Sequence, residues 1–261
     1  MAITAAAASN LRAMLAAFRA AHSSLAVPTG QGKALEAWVL MRLALAARAV
    51  GWTVSLRPGD DRPLPPGAAF VFPANGSPLR PASASAPMFV LIEHAWLGAF
   101  ELHGSLTWKG RSTATHECDV SMIPRDVAMA LRSQRRPGYP RGLPLVIVEC
   151  KDKVSNATLD EMRQMLGRMF DLALVTGPSV GACGIYQGAV RPTLWGRPGS
   201  QYRALYRRGL FVVARSSDFQ SGARTLADHY SIAAIDDVYS ARRIADIERR
   251  FQQMLVEVRT F

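Results

Sequence analysis

The chain has 261 residues, 49% of them hydrophobic, and carries 31 lysine and arginine residues against 20 aspartate and glutamate residues. This hydrophobic content suffices for a large core, and because no window of about 18 apolar residues occurs, we expect no transmembrane helix. The formal net charge of +11 favours a polyanionic partner, of which nucleic acid is the commonest, with a membrane surface as the competing alternative.

The three cysteines, Cys118, Cys150 and Cys183, lack the spacing of metal ligands. Their odd number and wide separation favour reduced thiols, so we expect a cytoplasmic protein. The first 26 residues also lack the layout of a secretory signal.

Hydrophobic periodicity predicts a chain in which helices and strands are mixed. Helices are predicted over 10–22, 32–50, 126–133, 159–174, 224–229 and 240–260. Strands are predicted over 52–56, 68–72, 88–93, 100–108, 112–123, 144–153 and 210–214. The Pro-, Gly- and Ser-rich stretch at 57–87 is expected to run over the surface, and the Gly-rich stretch at 177–209, which contains Trp195, is expected to be irregular.

The segment 144–153 reads Pro-Leu-Val-Ile-Val-Glu-Cys-Lys-Asp-Lys, which is typical of a buried strand. Side chains alternate along a strand, so Glu149 and Lys151 share one face and Cys150 lies on the other. Buried charge is costly unless it is paired or bound to a metal, and this strand end is therefore a candidate site. The alternatives are that the strand ends in solvent, or that the two charges form an ordinary ion pair.

Two further acids lie upstream on predicted elements. Asp119 is on the second arm of a hairpin with a Lys-Gly-Arg turn, and Glu36 is in the first turns of the helix at 32–50. Magnesium prefers carboxylate oxygens, waters and substrate phosphates as ligands. If their strands are adjacent, Asp119 and Glu149 can share one cation with the carbonyl oxygen of Cys150. Glu36 would then hold the metal-bound water or a second ion.

Lys151 has three candidate roles beside such a cation. It orients the attacking water, stabilises the transition state at the phosphate, or acts as a base because the cation disfavours its charged form. The alternatives for the upstream acids are structural: Asp119 would pair with an arginine at a strand end, and Glu36 would be a solvated acid near a helix N-terminus. Three neighbouring polar residues are expected to be peripheral: His116, Glu117 and Lys153.

With these residues the chain resembles the PD-(D/E)xK nuclease superfamily. The matching motifs are Glu36 in Gly-Lys-Ala-Leu-Glu, Asp119 in Glu-Cys-Asp-Val, and Glu149-Cys-Lys151 after Leu-Val-Ile-Val. The order of helix, hairpin strand, strand and helix is that of the superfamily, and Gln164 in the last helix resembles a glutamine that several branches place near the site. The resemblance covers 32–175 and departs from the motif at Cys118, which stands where the superfamily name has proline.

The resemblance implies a restriction-endonuclease-like α/β fold, with a mixed central β-sheet flanked by helices and with additional C-terminal helices. We expect a single domain over 1–261 with a core at about 30–215, to which the helix at 10–22 and the helices at 222–260 are appended. The implied catalytic residues are Asp119, Glu149, Lys151, Glu36 and Gln164. The implied metal ligands are Asp119, Glu149, Glu36 and the backbone carbonyl of Cys150.

The implied activity is Mg²⁺-dependent endonucleolytic hydrolysis of nucleic acid, foremost DNA, with Mn²⁺ as an alternative cofactor. Bacterial restriction or antiphage defence is the implied role, and a second copy of the chain or another defence protein is a candidate partner. An arginine-dense segment precedes the Glu149 strand and suggests salt-dependent contacts with phosphates, although a solvated loop is the alternative. Its arginines are Arg125, Arg132, Arg135, Arg136 and Arg141.

Two other classes of function stay open from the sequence. One is a non-catalytic nucleic-acid-binding or scaffold protein on the same fold, which the intact Asp/Glu/Lys set disfavours. The other is a protein that lies on a membrane surface through its basic terminal helices; we expect no membrane partner.

Overall fold

A computed structural model describes residues 4–22, 32–83, 86–110, 112–142, 144–173 and 209–257. The helices of these parts are α1 (Ala5–Ala17), α2 (Lys33–Ala49), α3 (Arg125–Arg132), α4 (Leu159–Ala173), α5 (Ser221–His229) and α6 (Ala241–Glu257). The strands are β1 (Ala21–His22), β2 (Thr53–Arg57), β3 (Ala69–Phe70), β4 (Phe89–His94), β5 (Gly98–Lys109), β6 (Thr115–Pro124), β7 (Val146–Lys151), β8 (Leu210–Arg215) and β9 (Ala233–Ile235). The chain is therefore α/β, as predicted.

A seven-stranded sheet with the order β2-β4-β5-β6-β7-β8-β9 forms the centre of the fold. Neighbours from β2 to β7 are antiparallel, whereas β7, β8 and β9 are parallel to one another. This mixed arrangement confirms the predicted mixed central sheet. The short strands β1 and β3 form a separate parallel pair.

Strand β7 lies inside this sheet, between β6 and β8. Its residues Val146, Ile147 and Val148 have no exposed surface, which explains why the sequence is aliphatic on both faces of the strand. The charged residues begin only at Glu149, where the strand approaches its C-terminal end.

Helix α2 is the most buried helix that the structure describes, and it packs between the sheet and the two terminal helices. Trp38 Nε1 donates a hydrogen bond to the side chain of Asn10 in α1, at 3.2 Å. On the other side, Arg42 Nε lies 2.7 Å from Glu248 in α6. None of the helices in the described ranges is both long and apolar enough to cross a bilayer.

The first helix differs from its prediction at 10–22, because it begins and ends five residues earlier. The Thr4 side chain accepts a hydrogen bond from the amide of Ala7 at 3.2 Å and caps the alanine run, which has a high helix propensity. Arg19, with a positive φ of 58°, then turns the chain toward β1.

Two other differences concern short or undescribed parts of the chain. Strand β9 was not predicted, because three residues are too few to show an alternating pattern. The segment predicted to be irregular, 177–209 with Trp195, lies outside the described residues apart from its last glycine, as does Cys183. The described cysteines, Cys118 and Cys150, are buried free thiols.

A buried ion-pair network attaches α3 to the sheet. The carboxylate of Glu101 has no exposed surface and accepts hydrogen bonds from Arg132 Nη1 at 2.8 Å and from Arg125 Nη1 at 3.2 Å. His103 Nε2 lies 2.8 Å from the other oxygen of Glu101, and the Arg132 guanidinium lies 4.3 Å from the ring centroid of Phe89. Arg125 and Arg132 therefore direct their charges into the protein rather than toward a ligand.

We expect Arg132→Met to lower the free energy of unfolding by about 3–5 kcal/mol, because it removes the main partner of a fully buried carboxylate. Urea unfolding of both proteins measures the difference. Arg136 is exposed in the loop after α3, and Arg136→Met should change the free energy of unfolding by less than about 0.5 kcal/mol. Equal effects of the two substitutions would contradict the structural assignment of Arg132.

Candidate functional site

The candidate site lies where strands β6 and β7 stop pairing. Their ladder contains only the pairs Val120↔Val148 and Ser121↔Ile147. One residue beyond it, Asp119 Oδ2 accepts a hydrogen bond from the backbone amide of Cys150 at 2.7 Å. A side-chain carboxylate thus satisfies a strand amide at the point where the backbone pairing ends, and the gap between the strands becomes accessible.

A cleft of about 320 Å³ lies at this gap and is lined almost entirely by charged side chains. The acids in its lining are Glu36, Glu117, Asp119, Glu149 and Asp152, and the basic side chains are Lys33, Lys151, Lys153 and Arg168. Gly32 and Cys150 complete the lining. The structure therefore brings together Glu36, Asp119, Glu149, Lys151 and Cys150, which are all the predicted catalytic and metal-binding residues except one.

Glu149 is buried between two cationic side chains. Its Oε1 accepts a short hydrogen bond from Lys151 Nζ, and its Oε2 accepts one from Arg168 Nη1. Lys151 Nζ also lies 3.7 Å from Asp119 Oδ2. Burial alone would lower the pKa of Lys151, but the charges of Glu149 and Asp119 outweigh burial and raise it, so the ammonium form is favoured.

Glu36 reaches the same cleft from the first turn of α2. Ser105 Oγ donates a hydrogen bond to Glu36 Oε2 at 2.8 Å, and Lys33 Nζ lies 3.0 Å from Glu36 Oε1. Ser105 lies on β5 between the register pairs Gly104↔Val120 and Leu106↔Cys118, and its positive φ of 51° is in a region that residues with a side chain seldom adopt. Such strained residues concentrate at functional sites, and nothing in the sequence pattern distinguished Ser105 from its neighbours.

Glu117, which was expected to be peripheral, lies in the lining of the cleft. Glu36, Glu117 and Asp119 each offer a carboxylate oxygen, and these oxygens all lie within 4.8 Å of one another. The alternation of β6 already placed Glu117 on the same face as Asp119. Lys153 also lines the cleft, where its Nζ lies 2.8 Å from Glu161 Oε1.

Burial and mutual repulsion raise the pKa values of Asp119 and Glu36. The pKa of Asp119 is raised to about 6, first by burial and then by the charge of Glu149. The pKa of Glu36 is raised to about 8, first by burial and then by the charge of Asp119. A cleft lined by five carboxyl groups fits a hard divalent cation, because the cation offsets the repulsion that raises these pKa values.

The predicted catalytic residue Gln164 is exposed on α4 and does not line the cleft. The residue that reaches the site from this helix is Arg168, one turn further along. In addition to Glu149, its Nη1 contacts the carbonyl oxygen of Glu117 at 3.0 Å. Arg168 lies at helical spacing from Gln164, so the sequence could indicate that the two residues lie on nearby parts of one helix face. It could not indicate which of them the rotation of the helix turns toward the cleft.

Two contacts outside the cleft hold α4 in this orientation. His116 Nε2 on β6 lies 2.6 Å from Asp171 Oδ2 on α4. At the other end of the helix, the fully buried Arg215 contacts Glu161 and the carbonyl oxygen of Ser155. His116 therefore does not line the cleft.

The five arginines proposed to contact phosphates differ in whether their side chains are paired inside the protein or exposed. Arg125 and Arg132 are bound to Glu101, as described above. Arg135 and Arg136 are exposed, and Arg141 is half-buried where its backbone bridges to that of Lys109. Only the loop after α3 therefore presents fully exposed guanidinium groups from this segment.

The chain matches no protein-family model, and neither a curated protein nor a solved structure is significantly similar to it. The function must therefore be argued from the geometry and chemistry of the cleft.

We expect Glu36→Gln and Asp119→Asn to gain stability relative to the parent protein as the pH rises. A carboxyl group whose pKa is raised in the folded state keeps a proton that the unfolded state has lost, so its ionisation destabilises the fold. The difference in free energy of unfolding between variant and parent should increase with pH until about pH 6 for Asp119→Asn and until about pH 8 for Glu36→Gln.

Metal-free urea unfolding between pH 5 and pH 9 measures these differences. Asp160→Asn is the control, because Asp160 is an exposed acid on α4 outside the cleft. If the difference in free energy of unfolding between Glu36→Gln and the parent does not depend on pH, then burial and the charge of Asp119 do not raise the pKa of Glu36.

Proposed function

We propose that the protein is a metal-dependent nuclease that hydrolyses phosphodiester bonds in nucleic acid, foremost DNA. The observation that carries this proposal is the convergence of Asp119, Glu149 and Lys151 in one open cleft. These residues come from two strands whose pairing ends there, and Glu36 approaches from a helix packed on the same sheet. This arrangement supports a restriction-endonuclease-like fold with the PD-(D/E)xK set of residues.

Because the cleft fits a hard cation, its oxygen donors are the candidate metal ligands. Asp119 and Glu149 would hold Mg²⁺ or Mn²⁺ together with the backbone carbonyl of Cys150, and Glu36 would contribute from the helix side. Such an ion supplies Lewis-acid chemistry, which activates water and offsets the charge that develops on the phosphate.

The side chains of the cleft supply the other requirements of the reaction. Lys151 is favoured in its ammonium form and lies beside both metal-binding acids, so its role is to stabilise negative charge on the phosphate rather than to act as a base. Arg168 fixes the carboxylate of Glu149 from the opposite side. With Asp119 held by the Cys150 amide, both acids are oriented before any ligand binds.

The cleft is open and the chain has a formal net charge of +11, and both features suit a polyanionic polymer. The exposed Arg135 and Arg136 would add phosphate contacts that do not depend on the base sequence. A role in cytoplasmic restriction or antiphage defence is part of the proposal through the resemblance alone.

We expect Mg²⁺- or Mn²⁺-dependent cleavage of at least one substrate in a panel of plasmid, linear duplex, single-stranded DNA and RNA. Asp119→Asn, Glu149→Gln and Lys151→Met should each lower the rate by about 10²-fold or more, because each removes a group that acts on the reacting phosphate or its metal. Asp160→Asn is the matched acid control and should retain the parental rate.

Full activity in Asp119→Asn or Glu149→Gln would refute this assignment. Binding to nucleic acid without cleavage in any metal would instead support the non-catalytic alternative. Binding to anionic vesicles without affinity for nucleic acid would support the membrane-surface alternative.

We expect the double variant Arg135→Ala/Arg136→Ala to bind duplex DNA more weakly than the parent. Because the slope of log affinity against log salt concentration is negative, loss of two phosphate contacts makes it less steep, by about 1.8. Fluorescence anisotropy in a Glu149→Gln background, which removes cleavage, measures this slope. Arg249→Ala/Arg250→Ala on α6 removes two exposed arginines elsewhere, and an equal effect of both pairs would contradict a local role.

A further inference from the structure

Lys33 lies inside the acidic cluster of Glu36, Glu117 and Asp119. Its Nζ is 2.8 Å from Glu117 Oε1 and 3.0 Å from Glu36 Oε1. It also donates a hydrogen bond to Ser105 Oγ at 2.8 Å, and its side chain is only 13% exposed. One ammonium group therefore contacts two of the three carboxylates that could otherwise hold a metal ion.

The position of Lys33 is unfavourable for a lysine on local grounds. It is the first residue of α2, where the helix dipole disfavours positive charge, and the burial of its long side chain removes rotamer freedom. Gly32, with a φ of +68°, turns the chain into the helix just before it. The contacts with the acids are what stabilise an ammonium group at this place.

We infer that Lys33 acts as a built-in cation that occupies the Glu36–Glu117 half of the cluster and limits the site to one divalent ion. This inference rests on the proposed function and deepens it, since it assigns the metal stoichiometry. A second divalent ion would need the carboxylate oxygens that Lys33 now contacts. Its charge would also repel the ammonium at short range in a largely buried site.

The single ion is then left with the other half of the cleft. Asp119 and Glu149 provide carboxylates there, and the carbonyl oxygen of Cys150 is the remaining lining ligand. The ion would replace Lys151 at Glu149 Oε1. The Lys151 side chain is 29% exposed, against 13% for Lys33, so it can turn toward solvent or a bound phosphate. Lys33 positions Glu36 through its direct contact and, with Ser105, fixes the orientation of that carboxylate. Lys33 is thus a positioning residue, because its contacts are with other residues of the site.

The test counts the Mn²⁺ ions bound to the full chain by electron paramagnetic resonance, without nucleic acid. The parent protein should bind one ion per chain. Lys33→Met should bind two, because its uncharged side chain frees the oxygens of Glu36 and Glu117. Lys33→Gln should also bind two, and it retains a hydrogen-bond donor that helps to preserve the fold.

Two controls separate a specific site from a general change of charge. Lys153→Met removes a lysine from the same cleft, but one that contacts Glu161 rather than the cluster, and it should still bind one ion. The double variant Lys33→Gln/Glu117→Gln removes one ligand of the new site and should return to one ion. Circular dichroism establishes that each variant is folded.

Two ions in the parent protein, or one ion in both folded Lys33 variants, would overturn the inference and leave the proposed nuclease intact. A gain of the second ion in Lys153→Met would overturn it as well, because the effect would then be electrostatic and unspecific. If neither the parent nor the variants bind Mn²⁺, both the inference and the metal-dependent function fail.

Discussion

The hydrogen bond from the Cys150 amide to Asp119 is the contact on which the candidate site depends. It lets two adjacent strands separate inside a sheet without leaving a buried amide unsatisfied. If the ladder continued, Asp119 and Glu149 would face each other across closely paired backbones and would have no accessible space between them. The same carboxylate therefore has a structural task in addition to its proposed role in metal binding.

The rest of the fold keeps this opening in place. The buried aliphatic segment of β7 anchors one edge of the cleft, and the long β5–β6 hairpin anchors the other. Helix α2 brings Glu36 and Lys33 against the hairpin, while α4 brings Arg168 against Glu149. Because α1 and α6 both pack on α2, the terminal helices act on the cleft through the position of this one helix.

The parts of the fold that local sequence patterns encode were predictable. Apolar periodicity located most helices and strands, and alternation along β6 and β7 placed Asp119, Glu149 and Lys151 on their correct faces. A charged residue is harder to interpret, because its partner comes from a distant segment. Arg132 resembles its exposed neighbours in sequence, and only the register of β5 shows that Glu101 lies within its reach.

The same reason explains the residues of the site that the sequence did not reveal. Arg168 rather than Gln164 reaches the cleft because the contacts of α4 at Asp171 and Glu161 set the rotation of the helix. Lys33 looked like an ordinary residue at a helix start, and its role appears only once the hairpin carrying Ser105 and Glu117 is packed against it.

The charges of the cleft also bear on the order in which ligands bind. Its lining has five carboxyl groups and four cationic side chains, so one negative charge is in excess when all five acids are ionised, which for Glu36 requires a pH above about 8 in the absence of a metal ion. Phosphate approaching this surface would be repelled, whereas one divalent ion converts the excess into a single positive charge. The cleft is thus suited to bind the metal before the nucleic acid. A second divalent ion would add charge that the carboxylates, with Lys33 among them, can no longer balance.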